Sequence, residues 1–314
     1  MLNNTRCFQI TAALLFLLAA RVFAVESCPV TIIAPEGKSF ASFTNTLHPD
    51  NRIGYRFHEH TPLIAGEAPA TPAAAGIDPA ATGPLEQDFA QRPGVQTHRV
   101  TLSDAEWLPQ QWTFYLAPAV DGIDLLWVVA TKDSGLPEYY AVQQCFRMSG
   151  MTNEAWRQEI AKTPAFSEFD LWNLTEKDAP QTSLAYVLRK GTWEALPATR
   201  DTVGARTPLG LAMDQLRTNN HLDSMPKVGP YDALMLDPID IGLVTRVNRE
   251  KTWVCGLYWQ NTTHVTDHHP ADCLHAIVNL GPLPPNTTRA LRGKIYWFQG
   301  VLDDLKQHWQ HDFQ

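Results

Sequence analysis

Short runs of β-branched and aromatic residues recur from Val100 onward and limit the folds that the chain can adopt. Trp253–Trp259 and Cys273–Leu280 are both strand-like, and Arg292–Gln299 forms a further run near the C-terminus. Glu138–Met148 alternates between two sets of side chains, a period of two that is typical of a strand with two different faces. These runs predict many short strands.

Two segments carry clear helical signals. Thr152 can cap a helix over residues 152–162, and Asp303 and Asp304 suit the first turn of a helix over residues 301–311. Many strands with so few helices predict an all-β fold, a large antiparallel two-sheet sandwich with one internal and one C-terminal helix.

Turn residues between strand-like runs predict two hairpins. One joins Thr182–Leu188 to Thr192–Leu196, and the other joins Ile239–Val247 to Thr252–Trp259. By contrast, residues 200–230 are polar and irregular.

The sequence of the N-terminal part predicts that the chain consists of a leader and one domain. Residues 1–24 combine Arg6, a short apolar stretch and small residues before the expected cut after Ala24, which is the pattern of a secretion signal. Residues 25–314 are then expected to form a single β-sandwich domain. Within it, the Ala-, Pro- and Gly-rich residues 65–84 predict a mobile surface loop. The expected location is secreted or periplasmic, with no integral membrane segment in the mature chain.

The net charge of the chain argues against one class of binding partner. The 314-residue chain has a formal net charge of −8 at pH 7 and no run of Lys or Arg. An acidic chain of this kind argues against nucleic acid as a partner.

The polar stretch between the runs at 253–259 and 273–280 is the densest group of potential ligands and proton carriers. It is expected to be a loop that holds His264, Asp267, His268, His269 and Asp272, with His275 just beyond. Three interpretations stay open. His264, His268 and His269 would bind a divalent metal, since imidazole suits first-row ions. Alternatively, His264, His268 and His275 would act as acid or base while Asp267 and Asp272 hold a sugar. In the third interpretation the stretch is structural.

Cys255 and Cys273 lie symmetrically about this polar stretch. If Trp253–Trp259 paired with Cys273–Leu280, the two thiols would be close enough for a disulfide that closes the loop. Two buried free thiols are the alternative.

A second polar cluster is predicted in the middle of the chain. Tyr139, Gln143 and Arg147 share one face of the Glu138–Met148 strand and are expected to bind a ligand. Glu168 and Asp170 share a face of another run and would supply two catalytic carboxylates. An ordinary solvent face is the alternative.

The size, the export signal, the density of strands and the run RGKIYWF at 292–298 together resemble the galactose-mutarotase-like group of secreted β-sandwich proteins. The resemblance covers the second half of the chain and includes no catalytic motif, so no site residue follows from it. The chain also resembles uncharacterised secreted bacterial proteins. The resemblance implies a secreted carbohydrate-active or carbohydrate-binding protein, without deciding whether it is an enzyme. A non-catalytic structural or metal-binding protein is the alternative.

Overall fold

The structure is a computed structural model. It describes residues 28–34, 40–49, 51–68, 79–100, 110–148, 184–197, 202–219, 234–236, 238–268 and 273–314. Several sequence predictions fall outside these residues: the signal at 1–24, the helix at 152–162, and the site residues Glu168, Asp170, His269 and Asp272.

Sixteen strands and three helices make up the described part of the chain. The strands are Val30–Ile33 (β1), Phe40–Asn45 (β2), Arg52–Ala65 (β3), Gln96–Val100 (β4), Gln110–Ala119 (β5), Gly122–Thr131 (β6), Tyr139–Arg147 (β7), Ala185–Arg189 (β8), Thr192–Ala195 (β9), Thr202–Arg206 (β10), Leu234–Leu236 (β11), Leu243–Val247 (β12), Trp253–Trp259 (β13), Thr262–His268 (β14), Cys273–Asn279 (β15) and Thr288–Gln299 (β16). The helices are Pro79–Ala90 (α1), Pro208–Asn219 (α2) and Leu302–Phe313 (α3).

The strands form two sheets of eight. Sheet I has the order β1-β2-β3-β7-β15-β14-β10-β11, and sheet II has the order β4-β5-β6-β16-β13-β12-β8-β9. Neighbouring strands are antiparallel, except that β10 and β11 are parallel. The all-β, two-sheet fold predicted from the sequence is therefore confirmed, and so are the hairpins β8–β9 and β12–β13.

The main apolar core lies between the two sheets. Phe146 and Leu274 enter it from sheet I, while Trp127, Trp259 and Trp297 enter it from sheet II, and all five side chains are buried. Large aromatic side chains bury much apolar area, so this layer supplies most of the hydrophobic stabilisation.

The helices pack on the outer faces of the sheets. Phe89 of α1 packs on sheet II, Met213 of α2 packs on sheet I, and Leu305 and Trp309 of α3 pack on sheet II. Only α3 matches a helix predicted from the sequence. Among the described residues, no helix is long and apolar enough to cross a membrane.

Two helices lie where the sequence predicted none. α1 begins inside the stretch predicted as a loop at 65–84, and Pro84 lies within the helix. α2 lies in the stretch predicted to be irregular, although Leu209, Met213 and Leu216 follow the spacing of an apolar helix face.

The predicted pairing of Trp253–Trp259 with Cys273–Leu280 is wrong. β13 pairs with β12 and β16 in sheet II, whereas β15 pairs with β14 and β7 in sheet I. The polar stretch between them is mostly a strand, β14, because its Thr and Val side chains favour extended backbone. The chain crosses from one sheet to the other at Gln260 and Asn261, where Asn261 adopts a φ of 57°, a left-handed conformation that asparagine tolerates.

The predicted Cys255–Cys273 disulfide is also wrong. Cys255 lies in the core between the sheets, whereas Cys273 lies on the opposite side of sheet I, next to His275. Cys28, Cys145, Cys255 and Cys273 are all free thiols. The predicted disulfide depended on a hairpin that the fold does not contain between these two strands.

Candidate functional site

Mostly polar residues form three rows across the outer face of sheet I. Cross-strand partners point to the same face, so each row is read directly from the register. Each row crosses β7, β15, β14 and β10 in that order. The first row is Arg147, Cys273, His268 and Thr202, and the second is Cys145, His275, Thr266 and Gly204. The third row is Gln143, Ile277, His264 and Arg206. We call this surface the polar face. The residues that alternate with them, such as Phe146 and Leu274, belong to the core between the sheets.

The polar face brings together most of the described residues that the sequence singled out. Gln143 and Arg147 share it, as their strand pattern predicted, and so do His264, His268 and His275. The sequence treated these as two separate clusters. The pairing of β7 with β15 and of β15 with β14 unites them.

Tyr139 lies on the same side of β7 but in a different environment. It is fully buried in an apolar cluster with Ile277 and with Met213 of α2. Its ring therefore contributes to the packing under that helix.

Asp267 lies on the inner face of sheet I and not on the polar face. Its carboxylate forms an ion pair with the guanidinium of Arg246, which reaches across from β12 of sheet II. Both side chains are almost completely buried. Because side chains alternate along β14, Asp267 and its neighbour His268 must point to opposite faces.

α2 covers one end of the polar face and is fixed to β14 at its first turn. The hydroxyl of Thr207 donates to the carbonyl of Thr262 at 2.8 Å and accepts from the backbone N–H of Gly210 at 3.1 Å. A Cβ at Gly210 would overlap the backbone carbonyl of Thr263. Glycine at this position therefore allows the helix to lie directly on the strand.

This docking brings the carboxylate of Asp214 to His264. His264 Nε2 lies 3.3 Å from Asp214 Oδ2, and Arg206 Nε donates to the same oxygen at 2.6 Å. His264 Nδ1 lies 2.9 Å from the hydroxyl of Thr263. His264 is buried, whereas about a quarter of the Asp214 side chain is exposed, at 24%. The triad of His264, Asp214 and Arg206 therefore extends from the buried sheet toward solvent.

Electrostatics favours the ionised form of Asp214. Burial alone would raise the pKa of its carboxyl, but the hydrogen bonds and electrostatic interactions with His264 and Arg206 outweigh burial and lower the pKa from 3.8 to about 2. A carboxylate held ionised beside an imidazole can orient the ring and stabilise its protonated form.

Asp214 is therefore expected to contribute to stability in a pH-dependent way. Because its pKa in the folded state lies below the value in the unfolded chain, its contribution is complete above about pH 4 and is lost as the pH falls toward about 2. The contribution amounts to about 2 kcal/mol at most. Urea unfolding of wild type and Asp214→Asn should differ near neutral pH and converge in acid. The exposed Asp133→Asn is the control, and a difference between wild type and Asp214→Asn that is unchanged down to about pH 2 would contradict this expectation.

Two thiols and two imidazoles lie close together in the two rows that do not contain His264. His275 Nε2 lies 3.1 Å from Cys273 Sγ, and His268 Nδ1 lies 3.8 Å from the same sulfur. One ligand atom from each of Cys145, Cys273 and His275 lies within 4.8 Å of the others. Burial raises the pKa of the Cys145 thiol, as does the neighbouring Cys273, and His275 opposes this effect.

Only part of the predicted metal set is near this group. Of His264, His268 and His269, His268 lies beside Cys273, while His264 contacts Asp214 instead. His269 lies outside the described residues.

The sequence reasoning did not identify Asp214, Arg206 or Cys145 as site residues. Asp214 and Arg206 lie in the stretch predicted to be irregular, although the apolar spacing of α2 would have revealed the helix. Cys145 shares the alternating face of Gln143 and Arg147, which was the available signal.

No protein-family model matches the chain, and no curated protein does either. Among solved structures, the chain is similar to the Slr1438 protein from Synechocystis sp. PCC 6803, with 7% identity over 66% of this chain and 62% of that chain and a TM-score of 0.35. The chain thus spans less than two thirds of the length of that protein. It is also similar to a galactose mutarotase related enzyme from Lactobacillus acidophilus, with 8% identity over 66% of this chain and 68% of that chain and a TM-score of 0.28.

Proposed function

We propose that the protein is an exported carbohydrate-binding or carbohydrate-converting protein, and that its ligand binds at the polar face beside His264 and Asp214. The observation that carries the proposal is the triad of His264, Asp214 and Arg206, which joins a buried imidazole to a partly exposed carboxylate and guanidinium. Sugar hydroxyls both donate and accept hydrogen bonds, and these three groups offer both kinds of partner.

The position of the triad supports an acid/base role. His264 is held by β14, which has a paired strand on each side, and Asp214 is held by the docked helix α2. Groups on rigid elements keep the geometry that proton transfer requires. The partly exposed Asp214 carboxylate is the group that reaches the ligand, and the buried His264 ring, hydrogen-bonded at both nitrogens, orients that carboxylate and exchanges a proton with it.

Ligand binding tests the proposal. Wild-type protein is expected to show a thermal shift with at least one member of a panel of aldoses and short oligosaccharides. His264→Asn and Asp214→Asn should each weaken that binding about tenfold or more, because each removes a partner of the triad. Polarimetry of the bound sugar's anomers would then separate conversion from binding alone.

A second histidine–aspartate pair supplies a matched control. His308 Nδ1 lies 2.8 Å from Asp121 Oδ2 on the side of sheet II. His308→Asn should leave sugar binding unchanged. If no sugar shifts the wild type, or if His264→Asn and His308→Asn bind sugar equally, the proposal fails.

A further inference from the structure

The polar face also holds a compact set of soft metal ligands, separate from His264 and Asp214. We propose that Cys145, Cys273 and His275, with His268 as the fourth ligand, bind a single thiophilic first-row ion of the zinc(II) class. This inference does not rest on the proposed carbohydrate function.

The distances between the ligand atoms are close to those around one ion. Ligand atoms around a tetrahedral zinc with two sulfurs and two nitrogens lie about 3.3–3.8 Å apart, given bonds of about 2.3 Å to sulfur and about 2.0 Å to nitrogen. The distances from Cys273 Sγ are 3.1 Å to His275 Nε2 and 3.8 Å to His268 Nδ1. Cys145 Sγ completes a group whose ligand atoms lie within 4.8 Å of one another. Small changes in side-chain torsion angles would bring these three atoms to the required separations. His268, which is not one of the three, would turn toward the ion as the fourth ligand.

The orientation of His275 is already set. Its Nδ1 lies 2.9 Å from the hydroxyl of Thr266, which leaves Nε2 directed at Cys273 Sγ. Metal-binding histidines commonly have their second ring nitrogen fixed by such a hydrogen bond.

The scaffold is rigid at this point. The four ligands come from β7, β15 and β14, three adjacent strands inside sheet I. Cys145, Cys273 and His275 are buried, so the site favours a closed coordination sphere. A closed set of two sulfurs and two nitrogens is typical of a structural ion.

Metal binding at this site requires no reactant other than the ion. Two thiols lose their protons, two thiolate–metal bonds form, and the two imidazoles bind as neutral ligands. Each ion bound therefore releases two protons if both thiols are protonated beforehand.

Metal content tests the inference on full-length protein without a histidine tag. Wild type loaded with zinc and dialysed against a weak chelator should retain one ion per chain. Cys145→Ser and Cys273→Ser should each lower the affinity at least about tenfold. Cys255→Ser is the matched control, because this thiol is also buried but lies in the core between the sheets, and it should retain the ion.

Cobalt(II) gives a test that needs no variant. Wild type should develop the near-ultraviolet thiolate-to-cobalt charge-transfer band and the intense visible bands of a tetrahedral site, and zinc should abolish both. Sub-stoichiometric zinc with no charge-transfer band overturns the inference. So does recovery of Cys145 and Cys273 as a disulfide from protein isolated without reductant, because the thiols would then not be available to a metal.

Discussion

Replacement of Asp267 by alanine is expected to destabilise the protein by about 3–5 kcal/mol. The change removes the carboxylate that contacts the guanidinium of Arg246 between the sheets, where neither side chain is exposed by more than 1%. A buried charge that loses its counter-ion keeps its desolvation cost without the Coulombic gain. Chemical denaturation of wild type and variant would measure the loss.

The double variant Arg246→Met, Asp267→Leu distinguishes the contribution of the ion pair to stability from the contribution of side-chain packing. It removes both ions and fills their space with apolar atoms, so it should recover most of the stability that Asp267→Ala loses. A loss below about 1 kcal/mol for Asp267→Ala would contradict a strong role for the ion pair.

Replacement of Trp259 by alanine is expected to cost about 3–5 kcal/mol. The indole is 1% exposed in the core between the sheets, and its Nε1 donates to the hydroxyl of Tyr55 at 2.9 Å. That hydroxyl in turn donates to Gln144 at 2.7 Å. The change therefore opens a large cavity and also breaks a buried hydrogen-bond chain between the sheets.

Trp259→Phe isolates these two contributions. Phenylalanine keeps most of the ring volume but lacks the indole N–H, so the expected loss is smaller than that of the alanine variant. Denaturation curves of the two variants would measure the difference. Equal losses would mean that the hydrogen bond, rather than the cavity, dominates.

The local sequence pattern was sufficient to predict which face of a strand each side chain occupies, but not which strands pair with one another. The alternation over Glu138–Met148 correctly placed Gln143 and Arg147 on one side of the strand, because the side-chain period depends only on extended backbone. The contact of Cys145 with His275 depends on the pairing of β7 with β15, and no local signal encodes a pairing between segments so distant in the chain.

Polarity misled the interpretation of residues 260–272. Histidines and aspartates suggested a loop, yet Thr262–His268 is a strand with a polar outer face and an ion pair on its inner face. The polar groups are satisfied by partners such as Asp214 and Arg246, which lie on other elements. Composition therefore identified the region of the candidate site, while the tertiary contacts determined which groups each residue meets.

The crossover at Gln260 and Asn261 is a short covalent connection between the two sheets. Trp259 ends a strand of sheet II, and Thr262 begins a strand of sheet I, so a short stretch of chain links the central core to the strand that carries His264. A shift in the register of β13 would therefore displace the first residues of β14 as well. The position of His264 on the polar face is thus tied to the tryptophan core through the two residues of the crossover.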